Sequence, residues 1–188
     1  MERRLAALLF ADVVGYSRLM GNDETGTLIA VKALWEKLFG PRITEHGGRI
    51  VKLMGDGALV EFTSVVDAVE CAVETQRDSA EQNAGVPADR RIEVRIGVNL
   101  GDVIIDDNDI YGDGVNLAAR LEKLAVPGGI ALSATAHEHV AGKVDAYFND
   151  GGEYELKNIA KPVRVYLWPE VDPADRVQHI IASTKKDA

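Results

Sequence analysis

A chain of 188 residues, 46% hydrophobic and 27% charged, carries enough apolar material for one compact domain with a sizeable core. Its formal net charge of −9 excludes a general nucleic-acid binder, which needs a basic face to meet phosphate. An acidic protein that handles a polyanion must bring cations to it, as metal ions or as a few placed Lys and Arg side chains. The single Cys71 cannot close an internal disulfide, so a reduced, cytoplasmic setting is expected. Its apolar neighbours in a predicted helix mark it as a buried structural thiol rather than a nucleophile. No stretch is apolar for long enough to span a bilayer, and the amino terminus does not read as a signal peptide. His137 and His139, two apart, face different ways on a helix, and no Cys or His stands at metal-ligand spacing from them.

In chain order, RRLAALLFADVV reads as a buried central strand that ends at an acid and Gly15. A helix follows over ETGTLIAVKALWEKLFGPRITEHGG, with Asn22 or Asp23 as its cap. Leu28, Val31, Leu34, Trp35 and Leu38 form its apolar stripe, and Gly47-Gly48 ends it. RIVKLM and ALVEF then flank Gly55-Asp56-Gly57, the pattern of a hairpin with a glycine-framed acid at its tip. Next come a helix over VVDAVECAVETQRDSAEQ, a polar loop and the strand RIEVRIGVNLGDVII, where Arg91, Glu93 and Arg95 alternate with Ile92, Val94 and Ile96. An acidic loop, DDNDIYGDG, leads into the helix VNLAARLEKLAV, which stops at Pro127-Gly128-Gly129. A short strand (GIALS), a short helix from Ala134 and two closing strands (AYFNDGGEYEL and VRVYLW) complete the pattern. The order predicts an α+β fold: a ferredoxin-like split βαβ core with C-terminal additions. One domain is expected over 1–168, with a linker or tail over 169–188.

Alone, Asp12 is an ordinary strand-end residue and Asp56 an ordinary turn aspartate. In a split βαβ sheet, however, the first strand and the hairpin are neighbours, so both carboxylates can lie at one end. Two such acids repel unless a cation sits between them. Oxygen ligands of this kind suit Mg²⁺ or Mn²⁺, which keep positions for water and substrate phosphate. The flanking glycines let backbone approach a bulky triphosphate. A receiver domain of a two-component system also pairs acids, but usually carries adjacent acids after the first strand, and its phospho-acceptor precedes a loop and helix. Here Asp12 stands between Ala11 and Val13, and Asp56 runs straight into ALVEF.

Lys52 lies four residues before Asp56, so strand alternation places both on one face; read alone, it is an edge-strand lysine that discourages aggregation. An EF-hand over DDNDIYGDG fails, because starting at Asp106 puts Tyr111 where glycine is needed and starting at Asp107 makes it a ligand. Asn116 and Arg120, at i and i+4, share a helix face. The positions three and four from Arg120 hold Asn116, Leu117, Lys123 and Leu124, so it has no acidic partner within its helix. Arg is also well shaped to clamp a phosphoryl group.

Four ordered segments together resemble the class III adenylate and guanylate cyclases: LFADVVGYS at 9–17, RIVKLMGDGALVEF at 49–62, RIGVNLGDV at 95–103 and DIYGDGVNLAARLE at 109–122. The likeness spans roughly residues 5 to 168. By position, it implies that Asp12 and Asp56 bind two metal ions, with the Val13 carbonyl completing the shell. Lys52 and Asp109 match the pair that reads the purine. Asn116 and Arg120 match the residues acting on the reacting centre, and Arg95 and Lys157 match phosphate contacts. The segment between Val103 and Asp109 is shorter than the dimerisation arm of many relatives.

The implied reaction is in-line attack of the ribose 3′-hydroxyl on the α-phosphorus of ATP, releasing pyrophosphate. No side-chain general base stands among these residues. Lys52 only donates and ionised Asp109 only accepts, which complements N1 and the N6 amine of adenine. Guanine would leave both unpaired, a loss of roughly 1–3 kcal/mol per group. The resemblance implies a head-to-tail homodimer with two shared sites, the metal acids from one subunit and Lys52, Asp109, Asn116 and Arg120 from its partner. Regulation is expected from sequence beyond residue 188 or from dimerisation itself. A catalytically silent module lacks support, since every expected site residue is present. A diguanylate cyclase lacks support because its GG(D/E)EF signature is missing.

Overall fold

The structure, a computed structural model, describes residues 1–176 and residue 178. Of the tail expected over 169–188, residue 177 and residues 179–188 therefore lie outside the described residues. Strand β1 (Glu2–Val13) runs through the middle of the sheet, antiparallel to β3 (Gly57–Phe62) on one side and β4 (Val94–Asp106) on the other. With β2 (Arg49–Met54) outside β3, the order β2-β3-β1-β4 is that of a split βαβ core. The row continues through β6 (Ile130–Ser133), parallel to β4, and then β8 (Val163–Trp168) and β7 (Asn149–Tyr154), the expected C-terminal additions.

β1 is central because both of its faces are apolar. Ala7, Leu9, Ala11 and Val13 point to one side, and Ala6 and Leu8 to the other, all buried. The first side packs on α4 (Val65–Asn83), on α6 (Ala134–Val140) and on the helical segment after β1. Ser64 caps α4 by accepting a hydrogen bond from Asp67 N at 3.2 Å. Cys71 is 1% exposed on this helix, and burial pushes its thiol up to about 12, so it is an inert packing group.

The opposite face is covered by α5 (Asp113–Leu124), which packs against β4 at Gly97. A Cβ there would lie 2.4 Å from Glu122 N and 2.5 Å from Ala118 O, so only glycine admits the helix this closely.

Three local features depart from the sequence expectations. α1 (Tyr16–Asn22) precedes the expected helix, and Asp23 separates the two by capping α2 (Glu24–Ala33), accepting from Gly26 N at 2.9 Å. The expected single helix continues from α2 through a π-helical stretch, Leu34–Phe39, into α3 (Gly40–Glu45). Pro41 accounts for the change: it lacks an N–H and its ring crowds the carbonyl four residues back, while the wider stretch pairs Gly40 N with Trp35 O. Leu28 on α2 is 48% exposed, contrary to its place in the expected stripe, while Val31, Leu34, Trp35 and Leu38 are buried as expected. Part of the acidic loop, finally, is a strand: β5 (Asp109–Tyr111) pairs antiparallel with the end of β4.

Candidate active site

Asp12 stands one residue before the end of β1, on the α5 face, where it is paired in register with Gly57 on one side and Arg95 on the other. Asp56 occupies the β2–β3 turn, and its carbonyl accepts a 2.7 Å hydrogen bond from Val13 N. The split βαβ order thus brings both acids to one end of the sheet. Because Asp56 follows the end of β2 at Met54, the turn rather than strand alternation sets its direction relative to Lys52. Gly57 packs tightly against β1, where a Cβ would sit 3.0 Å from Ala11 O; Gly55 meets nothing closer than the Tyr16 hydroxyl at 3.8 Å.

Burial first, and then the charge and shared hydrogen bond of Asp56, push the Asp12 carboxyl up to about 6; Arg95 and Lys123 offset part of this. The two carboxylates and nearby backbone carbonyl could hold a divalent ion, since all-oxygen donors of this kind suit Mg²⁺ or Mn²⁺. Among the described residues, other clusters of potential metal ligands lie around His46: Glu45 with Glu74, and Asp67 with Glu70. Arg42 already serves Glu74 at 3.2 Å and Glu45 at 3.0 Å, so cationic charge is supplied to the first of them.

Arg95 does not face open solvent. Its side chain is 19% exposed, and its Nε lies 3.9 Å from the Glu122 carboxylate of α5. Burial dominates at Glu122 and pushes its carboxyl up to about 8, with Asp12 adding to the rise and Arg95 opposing it. This acid was not singled out in the sequence; its signal was a glutamate on the α5 stripe four residues after Ala118.

Asp12, Asn116, Arg120, Glu122 and Lys157 line one groove of about 340 Å³, floored by Phe10. The connection between β7 and β8 carries Lys157 and Asn158 into it, with Asn158 in the left-handed region at φ 62. Among the described residues, the Arg120 side chain has neither an ion pair nor a hydrogen bond, in keeping with the absence of an acid three or four positions from it on α5.

Lys52 and Asp109 meet elsewhere on the same face. The Lys52 Nζ lies 3.3 Å from Asp109 Oδ2, while Asp109 Oδ1 accepts from Ile110 N at 2.9 Å. The backbone hydrogen bond first, and then Lys52, hold the Asp109 carboxyl below the usual carboxylate range. A β-bulge decides where Lys52 points. Arg49 pairs with Glu61, Ile50 with Val60, and then Lys52 with Leu59, so Val51 is an extra residue. Strict alternation from Arg49 would send Lys52 to the α4 face; the bulge returns it to the β5 side.

Residues 3–169 match the family described as "Adenylate and Guanylate cyclase catalytic domain". The chain is 50% identical over 182 residues to a Rhizobium meliloti protein named "Putative adenylate cyclase 3", covering 97% of this chain and 31% of that one. It therefore spans about a third of that relative's length. A crystal structure of "Adenylate/Guanylate Cyclase/Hydrolase" from Silicibacter pomeroyi superimposes with a TM-score of 0.85 at 44% identity, covering 90% of this chain and 99% of the other. That of the guanylyl cyclase Cya2 gives a TM-score of 0.75 at 27% identity, over 92% and 95%. Among the described residues no helix is long and apolar enough to cross a membrane. The acids at the β1 end, the groove under α5 and these likenesses agree: the chain belongs to the adenylate and guanylate cyclase catalytic domain family.

Proposed function

We propose that this domain is an adenylate cyclase, converting ATP to 3′,5′-cyclic AMP and pyrophosphate. The observation that carries the choice of base is the Lys52–Asp109 pair, an obligate donor 3.3 Å from a carboxylate held ionised by its own turn. Adenine presents the complementary acceptor and donor; guanine presents the reverse and would leave both side chains unpaired. Purified protein should turn over ATP at least tenfold faster than GTP at equal concentration, and a GTP preference would refute the assignment.

Asp12 and Asp56, with the Val13 carbonyl, would hold two divalent ions, Mg²⁺ or Mn²⁺. Bound there, such ions lower the pKa of the ribose 3′-hydroxyl and offset charge on the phosphates. Arg120, unpaired in its groove, stabilises charge that builds on the α-phosphoryl group, and so acts in the transition state. Asn116, one turn earlier on α5, orients the ribose. Lys157 at the same groove and Arg95 beside Asp12 contact phosphate.

The site works as a head-to-tail homodimer in this proposal, each centre taking its metal acids from one chain and Lys52, Asp109, Asn116 and Arg120 from the other. The groove that Asp12 and Arg120 line within one chain favours a second reading, in which both act in cis. Complementation separates the two. In an equal mixture of Asp12→Ala and Arg120→Ala chains about half of all dimers are mixed, and each of these has one intact site of two, restoring about a quarter of wild-type activity. A site assembled in cis would leave the mixture inactive.

A further inference from the structure

The β4–β5 hairpin is held over the sheet by more than Lys52. β2 and β4 are separated in the sheet by β3 and β1, yet β5 touches β2. The sheet therefore curls, enclosing a small core of Ala6, Leu8, Val103, Ile110 and Ala118, with Phe10, Val51 and Ile105 against it. At the rim of this core, Arg49 makes three hydrogen bonds. Its Nη2 and Nε donate to Glu61 Oε2 at 2.8 and 3.2 Å, and its Nη1 donates to the carbonyl of Asn108 at 3.3 Å.

Glu61 is 5% exposed, and its other oxygen pairs with Arg4 on β1. It is therefore a fixed anchor in the sheet, and Arg49 transmits that fixity to the turn whose next residue is Asp109. The turn needs such support. It is two residues long, Asp107 sits in the left-handed region at φ 53, and β5 is only three residues long. The bulge at Val51 places Arg49 and Lys52 on one side of β2, so one cation holds the turn backbone while the other faces its carboxylate.

We infer that Arg49 is a positioning residue for purine selection: anchored on buried Glu61, it sets the place of Asp109 opposite Lys52. The inference rests on the reading that Lys52 and Asp109 contact the base. Its physical basis is that discrimination by paired donors and acceptors depends on their spacing, and a displaced carboxylate no longer rejects the wrong base.

The test compares Arg49→Met and Arg49→Lys with wild type, measuring kcat and KM for ATP and GTP and thermal stability. Arg49→Met should lower the ratio of kcat/KM for ATP over GTP about tenfold. The loss should fall on KM for ATP, with kcat changed less than threefold, because Arg120 and the metal acids are untouched. Arg49→Lys supplies a cation to Glu61 but cannot span Glu61 and Asn108 together. It should regain the stability of wild type while leaving selectivity low. A purely structural role predicts the opposite, with Lys restoring both; that result, or an unchanged ratio in Arg49→Met, would overturn the inference. Should wild type itself prefer GTP, the adenine assignment fails. The Arg49 inference is then judged on whether Arg49→Met flattens that preference.

Discussion

Around Asp12, two carboxylates share one end of the sheet, and a third, Glu122, is buried nearby, with Arg95 and Lys123 opposing their charge. Beside the β5 hairpin, by contrast, two acids hold cations directly: Asp109 faces Lys52, and Glu61 of β3 holds Arg49 and Arg4. In the first region the acid charge is only partly offset by these two cations. In the second, both of these carboxylates are paired within the chain, and a base read by Lys52 and Asp109, as proposed, would part or bridge their pair. Under the proposed roles the Asp12 end works through charge and the hairpin through shape and polarity, and mutations should separate accordingly.

The largest effect is expected at the acids. Asp12→Asn or Asp56→Asn should reduce cyclase activity by more than about 100-fold, with far-ultraviolet circular dichroism unchanged. Retained activity in either variant would break the comparison at its root. Arg120→Ala should lower kcat by about 10²–10³-fold with little change in KM, since its charge acts in the transition state; a loss confined to KM would reassign it to ground-state binding.

At the hairpin the expected signature is selectivity rather than rate. Asp109→Asn adds a donor where only an acceptor stood, and should cut ATP-over-GTP discrimination by roughly 10-fold while leaving most of the ATP rate. A uniform loss on both nucleotides would place Asp109 with the metal end instead.

The pH dependences sharpen the contrast at smaller scale. The Asp12 carboxyl is raised to about 6, so below that pH a divalent ion must displace a proton. The metal concentration needed for half-maximal activity should rise about tenfold per unit as pH falls below 6, and a flat profile would remove Asp12 from the metal shell. Glu122 also has a raised carboxyl, about 8 against an ordinary 4.5. Its favourable contribution is fully present below pH 4.5 and is lost as pH climbs through 8. Glu122→Gln should therefore match wild-type stability in chelator at pH 4.5 and exceed it by roughly 2–4 kcal/mol at pH 9. Denaturation curves at the two pH values would show it.

Apolar periodicity and turn chemistry determined much of this protein without any structure. The all-apolar run of β1, the glycine-framed hairpin and the helical stripes were enough to order the split βαβ core, because strand period and buried faces are local properties. The placing of Asp12 beside Asp56 followed from that order alone. Tertiary structure decided the rest. The bulge at Val51 turns Lys52 toward Asp109, and no glycine or proline in RIVKLM announces it. β5 was hidden in an acidic loop because three residues carry no period, and it forms by pairing with β4 across a turn. The approach of Glu122 to Arg95 depends on α5 reaching β4 through the missing side chain of Gly97. Each of these is a long-range contact between segments whose own sequences are compatible with other directions, and only the packed sheet selects among them.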